Sequence, residues 1–275
     1  MKRVRKHLSV ICVLMLLISC VANDAKHYES PAGYDFTHPE KIILKDHLLE
    51  ISGITFSPGV NNSLLAVNDE EGKIFRVPLS KEKVESFKFS PGADFEDIST
   101  NGLLTFVLQS NGTLYSYDNR TKESRKWGKV LPPGDYESLF ADSAKNNLYV
   151  LCKRCKQAEE NSILGYALTL QDDSTSIEYA PLSIKGDSLI KLPKNFMASG
   201  LTKNMNTNEW YIISSANKLL LITDDTWKAK QLYRLSPTIF RQPEGIAFDE
   251  DSNLYISNEG DETRSGNILK FKWIK

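Results

Sequence analysis

Five openings recur along the chain, each a polar or small pair ahead of an aliphatic residue: Ser52-Gly53-Ile54, Glu96-Asp97-Ile98, Glu137-Ser138-Leu139, Ser199-Gly200-Leu201 and Glu244-Gly245-Ile246. A second set of polar residues closes the apolar runs that follow, as Asn68-Asp69, Gln109 and Asn258-Glu259. Glu50 stands two residues before Ser52, on the same side of an extended chain. Carboxylates that recur at one register and converge must raise their pKa values, hold water or bind a cation. The alternative for each is a hydrogen bond from a backbone N–H of a neighbouring element. The residue types narrow the chemistry. The four histidines are His7, His27, His38 and His47, so the rest of the chain has none. Ser-His-Asp and Cys-His nucleophile systems are thereby excluded there, as are His-rich zinc or iron sites. The Gly-containing run NEGDETRSGN (258–267) lacks the strand-loop-helix setting of a phosphate loop. What is left is hard oxygen, which suits Ca2+ and, less well, Mg2+. The candidate metal residues are Glu50, Asn68, Asp69, Glu96, Glu137, Glu244, Asn258 and Glu259.

The elements that must position these groups repeat with them. Successive openings are 44, 41, 62 and 45 residues apart. Each is followed by an apolar run (LLAVN, TFVLQ, LYVLC, WYIIS, LYISN) and then by a third (KIFRV, TLYSY, ILGYA, KLLLIT, NILKF). The turns between them are rich in Gly, Asn or Asp, and a weaker fourth run precedes the next opening, as in ESFKF and AKQLYRL. Four strands per unit at a period near 45 predict an all-β, five-bladed β-propeller of four-stranded antiparallel blades. A β-sandwich competes poorly, because sandwiches do not ordinarily repeat internally. The last unit runs out of chain after three strands, so KIILKD (41–46) is expected to supply its fourth and close the ring. The extra residues of the long third interval, near 153–162 and 171–190, read as loops.

The N-terminus has a different character. MKRVRKH is basic, LSVICVLMLLIS is a short apolar segment, and Leu17-Ile18-Ser19-Cys20 resembles a bacterial lipobox. Residues 1–19 are therefore expected to be a lipoprotein signal peptide and Cys20 a lipidation site, with residues 20–40 a polar tether and 41–275 a single propeller domain. Loss of Lys2, Arg3, Arg5 and Lys6 with the signal lowers the 34 Lys and Arg to 30 against 35 Asp and Glu. A mildly acidic chain without a basic block is no nucleic-acid binder. Cys152 and Cys155 remain; in an oxidising compartment a disulfide is the first reading and a pair of free thiols the second.

The segments EISGI, LLAVNDEEGKIFRV, DFEDI, LYVLCKRC and QPEGIAFDEDSNLYISNEG resemble the SdiA-regulated family of bacterial propeller lipoproteins, distantly similar to NHL-repeat propellers. The resemblance spans roughly residues 33–275 and implies a five-bladed propeller with a calcium ion at a family site. Glu50, Asn68, Asp69, Glu96, Glu244 and Asn258 match that family's acidic and amide motifs, whereas Ser52 and Ser199 leave its acidic ring incomplete. The expected protein is a monomeric, calcium-binding propeller, lipid-anchored at the bacterial cell envelope, that binds a ligand or protein partner without catalysis. The alternative is a calcium-dependent hydrolase of lactones or phosphoesters with Glu96 or Glu137 as base.

Overall fold

In the computed structural model, which describes residues 28–80, 82–171 and 176–274, the apolar runs become strands. A short strand, β1 (Glu40–Ile43), leads into a 3-10 turn at Asp46–Leu48. Blade 1 is β2 (Ile51–Phe56), β3 (Ser63–Asn68), β4 (Lys73–Pro78) and β5 (Glu85–Lys88). Blade 2 is β6 (Phe95–Thr100), β7 (Leu104–Gln109), β8 (Thr113–Asp118) and β9 (Ser124–Lys129). Blade 3 is β10 (Asp135–Asp142), β11 (Asn147–Arg154), β12 (Ser162–Leu170) and β13 (Ile177–Lys185). Blade 4 is β14 (Gly200–Asn204), β15 (Glu209–Ser214), β16 (Leu219–Thr223) and β17 (Ala229–Arg234). β18 (Pro243–Phe248), β19 (Leu254–Asn258) and β20 (Asn267–Phe271) form blade 5, which β1 completes in the order β1-β20-β19-β18. All pairs are antiparallel, and the expected five-bladed propeller is what these strands build.

The strands are apolar along their whole length because both faces of each blade are covered. In β3, Leu64 and Ala66 pack toward blade 5 while Leu65 and Val67 pack toward blade 2. In β19, Leu254 and Ile256 meet blade 4 and Tyr255 meets blade 1. This is the period-two alternation of a strand with two buried sides. The core is correspondingly divided into five clusters, one at each interface between blades. A fully buried leucine or phenylalanine contributes about 1.5–3 kcal/mol, so each interface is a substantial apolar contact. The innermost strands β2, β6, β10, β14 and β18 pack on one another in turn, and β18 packs back on β2. β1 pairs with β20 from Glu40↔Lys270 to Ile43↔Asn267, as expected of the KIILKD segment.

Two expectations need correction. Residues 171–190 are not simply a loop, because Ile177–Lys185 forms the outer strand of blade 3, paired with β12 over nine positions. It carries Pro181 and is largely exposed, so it lacks the apolar signature of an inner strand; an outer edge accommodates proline. The polar segment before residue 41 is drawn into the fold as well. Tyr34 and Phe36 are buried at the interface of blades 4 and 5, against Phe240, Phe248, Phe271 and Trp273. The expected signal peptide, residues 1–19, and the expected lipidation site Cys20 lie outside the described residues.

Candidate functional site

The openings owe their form to crowding around the axis. In blades 1, 2, 3 and 5 the pairing between the first two strands slips at the opening, as between Ile51 and Ile54 or Pro243 and Ile246. Such bulges bend a strand and re-aim its side chains. The glycines are there for close approach: a Cβ on Gly245 would lie 2.7 Å from the Ile54 nitrogen and the Ser52 oxygen, and one on Gly200 2.6 Å from the Glu244 oxygen. Hydrogen bonds between blades do form at this level, mostly through Asp97 and the serines; among the opening glutamates, Glu244 takes part through Ser215 of blade 4. The Asp97 carboxylate accepts from Leu139 N at 2.6 Å and from its neighbour Ile98 N at 2.8 Å. Ser199 Oγ donates to Pro243 O at 2.8 Å, and Ser257 Oγ to Ser52 O at 2.9 Å. Burial lifts the Asp97 carboxyl well above the ordinary range, with the two N–H bonds opposing and Glu96 adding to the rise.

The glutamates and their neighbours gather at the channel mouth. Burial, then Asp94, pushes Glu96 up to about 8, with Lys153 opposing and Glu244 and Asp135 adding. Burial raises Glu244 to about 7 against a Ser215 hydrogen bond and the charges of Lys153 and Lys218. Burial, then Glu244, Asp69 and Glu50, takes Glu259 to about 7, with Lys153 opposing. Burial, then Glu50, Glu70 and Asp94, takes Asp69 to about 6. Glu50, Asp69 and Glu259 come together: each offers an oxygen within 4.8 Å of the others. Asp69 Oδ1 is buried without a hydrogen-bond partner, which is costly unless something not in the chain satisfies it. Glu259 also accepts from the Gln242 amide.

The other candidates stand differently. Glu96 and Glu244 lie outside the three-carboxylate cluster; Glu244 acts on Glu259, and Glu96 on its side feels Glu244. Glu137 is nearly buried and ion-paired with Lys153, its second oxygen unpartnered. Asn68 is occupied with local structure: its Oδ1 accepts from Glu71 N at 3.1 Å and its amide donates to His47 O at 3.2 Å. Asn258 donates to Ile239 O at 3.1 Å, while its Oδ1 is buried and unpartnered. Cys152 and Cys155 are joined by a disulfide, with Cα atoms 6.1 Å apart.

Lys153 is the residue that reading by acidity missed. The residues that follow Asn68, Gln109, Cys152, Ser214 and Asn258 in the five second strands share one register: Asp69, Ser110, Lys153, Ser215 and Glu259. Ser110 donates to Asp94 and Ser215 bonds Glu244, so this ring faces the ring of openings. Aligning the five units by register rather than by residue type would have exposed the lysine. It is the cation that tempers Glu96, Glu244 and Glu259.

The opposite mouth is built from the hairpins that join first and second strands. Asn101, Asp142, Asn204 and Asp249 each accept backbone N–H groups of their own turns, for example Leu104 N to Asn101 at 2.8 Å and Asn253 N to Asp249 at 2.8 Å. Those side chains are spent on folding.

Together these features define a class, a five-bladed β-propeller with one acidic, underpartnered channel mouth. The SdiA-regulated family model matches residues 184–261, which run from blade 3 through Glu244 and Glu259. With the five-bladed ring, that match bears out the resemblance of the chain to the SdiA-regulated family. No curated protein matches the chain. Among solved structures, a glutaminyl cyclase from Myxococcus xanthus superposes with a TM-score of 0.56 at 10% identity, covering 85% of this chain and 96% of that one. A chain of a nidogen/laminin complex gives 0.52 at 14% identity, over 76% of this chain and 72% of that one. A luciferin-regenerating enzyme gives 0.50 at 14% identity, over 86% and 81%. At such identities the likeness is one of fold.

Proposed function

We propose that the protein is a calcium-bearing, non-catalytic binding propeller, held at the bacterial cell envelope by lipid on Cys20. The observation that carries the calcium reading is the convergence of Glu50, Asp69 and Glu259 around the unpartnered Asp69 oxygen. The donor set fits the ion, because carboxylate oxygen is the ligand type Ca2+ prefers. A divalent cation would relieve the mutual repulsion that, with burial, lifts these groups. Three residues do not fill a shell of six to eight oxygens, so solvent or an oxygen-rich ligand completes it. The ion then doubles as an anchor point for whatever docks at this mouth. Against a hydrolase stands the condition of one of its two candidate bases: Glu137 is engaged by Lys153.

Calorimetry and thermal melts with Ca2+, Mg2+ and EGTA test the ion. Calcium is expected to stabilise by mass action, about 2.7 kcal/mol at a hundredfold excess over Kd. Magnesium should do less, and Asp69→Asn with Glu259→Gln should abolish the heat while the fold persists. No calcium heat at millimolar concentration ends the reading. A panel of lactone, ester and phosphoester substrates addresses catalysis, with no turnover expected. Detergent partitioning, with lipid mass at Cys20 that Cys20→Ala removes, tests the anchor.

A further inference from the structure

The interfaces on the two sides of blade 5 are finished differently at the outer rim. Between blades 4 and 5 the rim is filled by the chain itself, through Tyr34 and Phe36. Between blades 5 and 1 nothing among the described residues plays that part. There a cavity of about 850 Å3 opens between β1 and β4. Its floor is apolar: Leu44, Leu48, Phe75 and Val77 are all buried. Its rim is cationic. Lys41, Lys45, Lys73 and Lys83 line it against the one carboxylate of Glu82. Lys73 is paired with Glu71, whereas Lys41, Lys45 and Lys83 have no ion pair with a described carboxylate.

From this charge complementarity we infer that the groove binds a single-chain anionic amphiphile: an acyl chain of ten or so carbons or more lies along the floor and its carboxylate meets the rim lysines. The volume is in the range of small-molecule sites, which are mostly apolar with a few polar groups that fix orientation. An apolar occupant also has a precedent in the neighbouring groove, where aromatic side chains fill the same kind of space. A neutral or cationic chain would bury the same methylenes without a partner for its head. A folded protein partner would have to present one anionic ridge; the groove is lined on both sides, by residues of 41–48 and of 73–86, which suits a flexible chain better. The inference is independent of the calcium reading.

The test uses the full chain carrying Cys20→Ala, so that no acyl group of its own competes. Titration calorimetry with dodecanoate below its micelle concentration should show saturable one-to-one binding. Octanoate, four methylenes shorter, should bind about two hundredfold more weakly. Dodecyltrimethylammonium, with the opposite head charge, should be at least tenfold weaker than dodecanoate. Lys41→Glu with Lys83→Glu changes only exposed side chains; it should remove the preference for the anion. Val84→Trp, placed to fill the groove from its rim, should abolish binding of both amphiphiles while circular dichroism and melting stay those of a folded propeller. Absence of saturable dodecanoate binding overturns the inference, as does equal binding of the three amphiphiles or unchanged affinity in both variants. Sedimentation with anionic vesicles without binding of dodecanoate would also overturn it, in favour of a membrane surface as occupant.

Discussion

The two mouths of the channel use the same kinds of side chain to opposite ends. At the far mouth, Asp142 and Asp249 sit at the last position before a hairpin, where free backbone N–H groups turn back toward them. At the near mouth the corresponding donors are already committed: Phe95 N bonds Asp69 O, Glu259 N bonds Gln242 O and Gly260 N bonds Leu49 O. A carboxylate arriving there meets mainly other carboxylates, a few side-chain donors such as Ser215 and Gln242, and the cations Lys153 and Lys218. Acidity alone is therefore not the mark of a site; what matters is whether the backbone beside an acid still has donors to give.

The contrast can be broken most severely at Lys153. Lys153→Met leaves Glu137, nearly buried, without its counter-charge, and takes from Glu259 the cation that opposes its rise. A loss of about 3 kcal/mol or more is expected in urea melts at pH 8 without divalent cation. A loss under 0.5 kcal/mol would show that the ion pair is dispensable. Next is Asp249→Ala at the far mouth, which strands the N–H groups of Asp251 and Asn253 and the Tyr255 hydroxyl. It should cost about 2 kcal/mol, equally at pH 5 and 8 and with or without calcium. A calcium-dependent cost would mean that the two mouths are coupled.

The third variant, Glu96→Gln, reads the sign of the pH dependence. A carboxyl whose folded pKa is raised to about 8 holds its proton in the native state after the unfolded chain has lost it. Stability from this group is then complete at low pH and declines as pH rises from about 4.5 toward 8. Gln removes that decline, so the variant should match the parent at pH 5 and exceed it by about 1 kcal/mol or more at pH 8. Parallel curves for the two proteins would contradict the burial argument. The mildest change is Glu50→Gln, at an exposed member of the cluster. Stability without cation should shift by less than about 0.5 kcal/mol, while calcium affinity in titration calorimetry falls several-fold because one ligand charge is gone. Unchanged affinity would remove Glu50 from the shell.

The inner architecture was legible because burial on both faces leaves apolar runs at a steady spacing, and because the Gly of SGI and EGI answers a backbone contact across the axis. Outer strands carry no such signal: β13 is mostly exposed and contains a proline, so it passed for a loop. Composition also misjudged the segment before residue 41, where two aromatic residues outweigh a polar surround once a groove is there to take them. At the site, residue type found the three carboxylates that meet, but not the register that adds Lys153, nor the bonds that tie Asn68 to its own turn. Those depend on which donors the fold has already used, and a sequence does not display them.

The strand that completes blade 5 has a consequence in time. Residues 40–43 cannot find their partners until residues 267–271 exist, and Phe36 likewise waits for Phe271. As the chain emerges from its N-terminus, blades 1 to 4 can each pair locally, but the ring must stay open until residues 267–271 have appeared. Contacts of such long sequence separation are slow to form, and in that interval β20, once made, offers an unpaired edge. The vulnerable species is therefore a horseshoe of finished blades, and its closing step, a four-residue ladder, sets how long the horseshoe lasts.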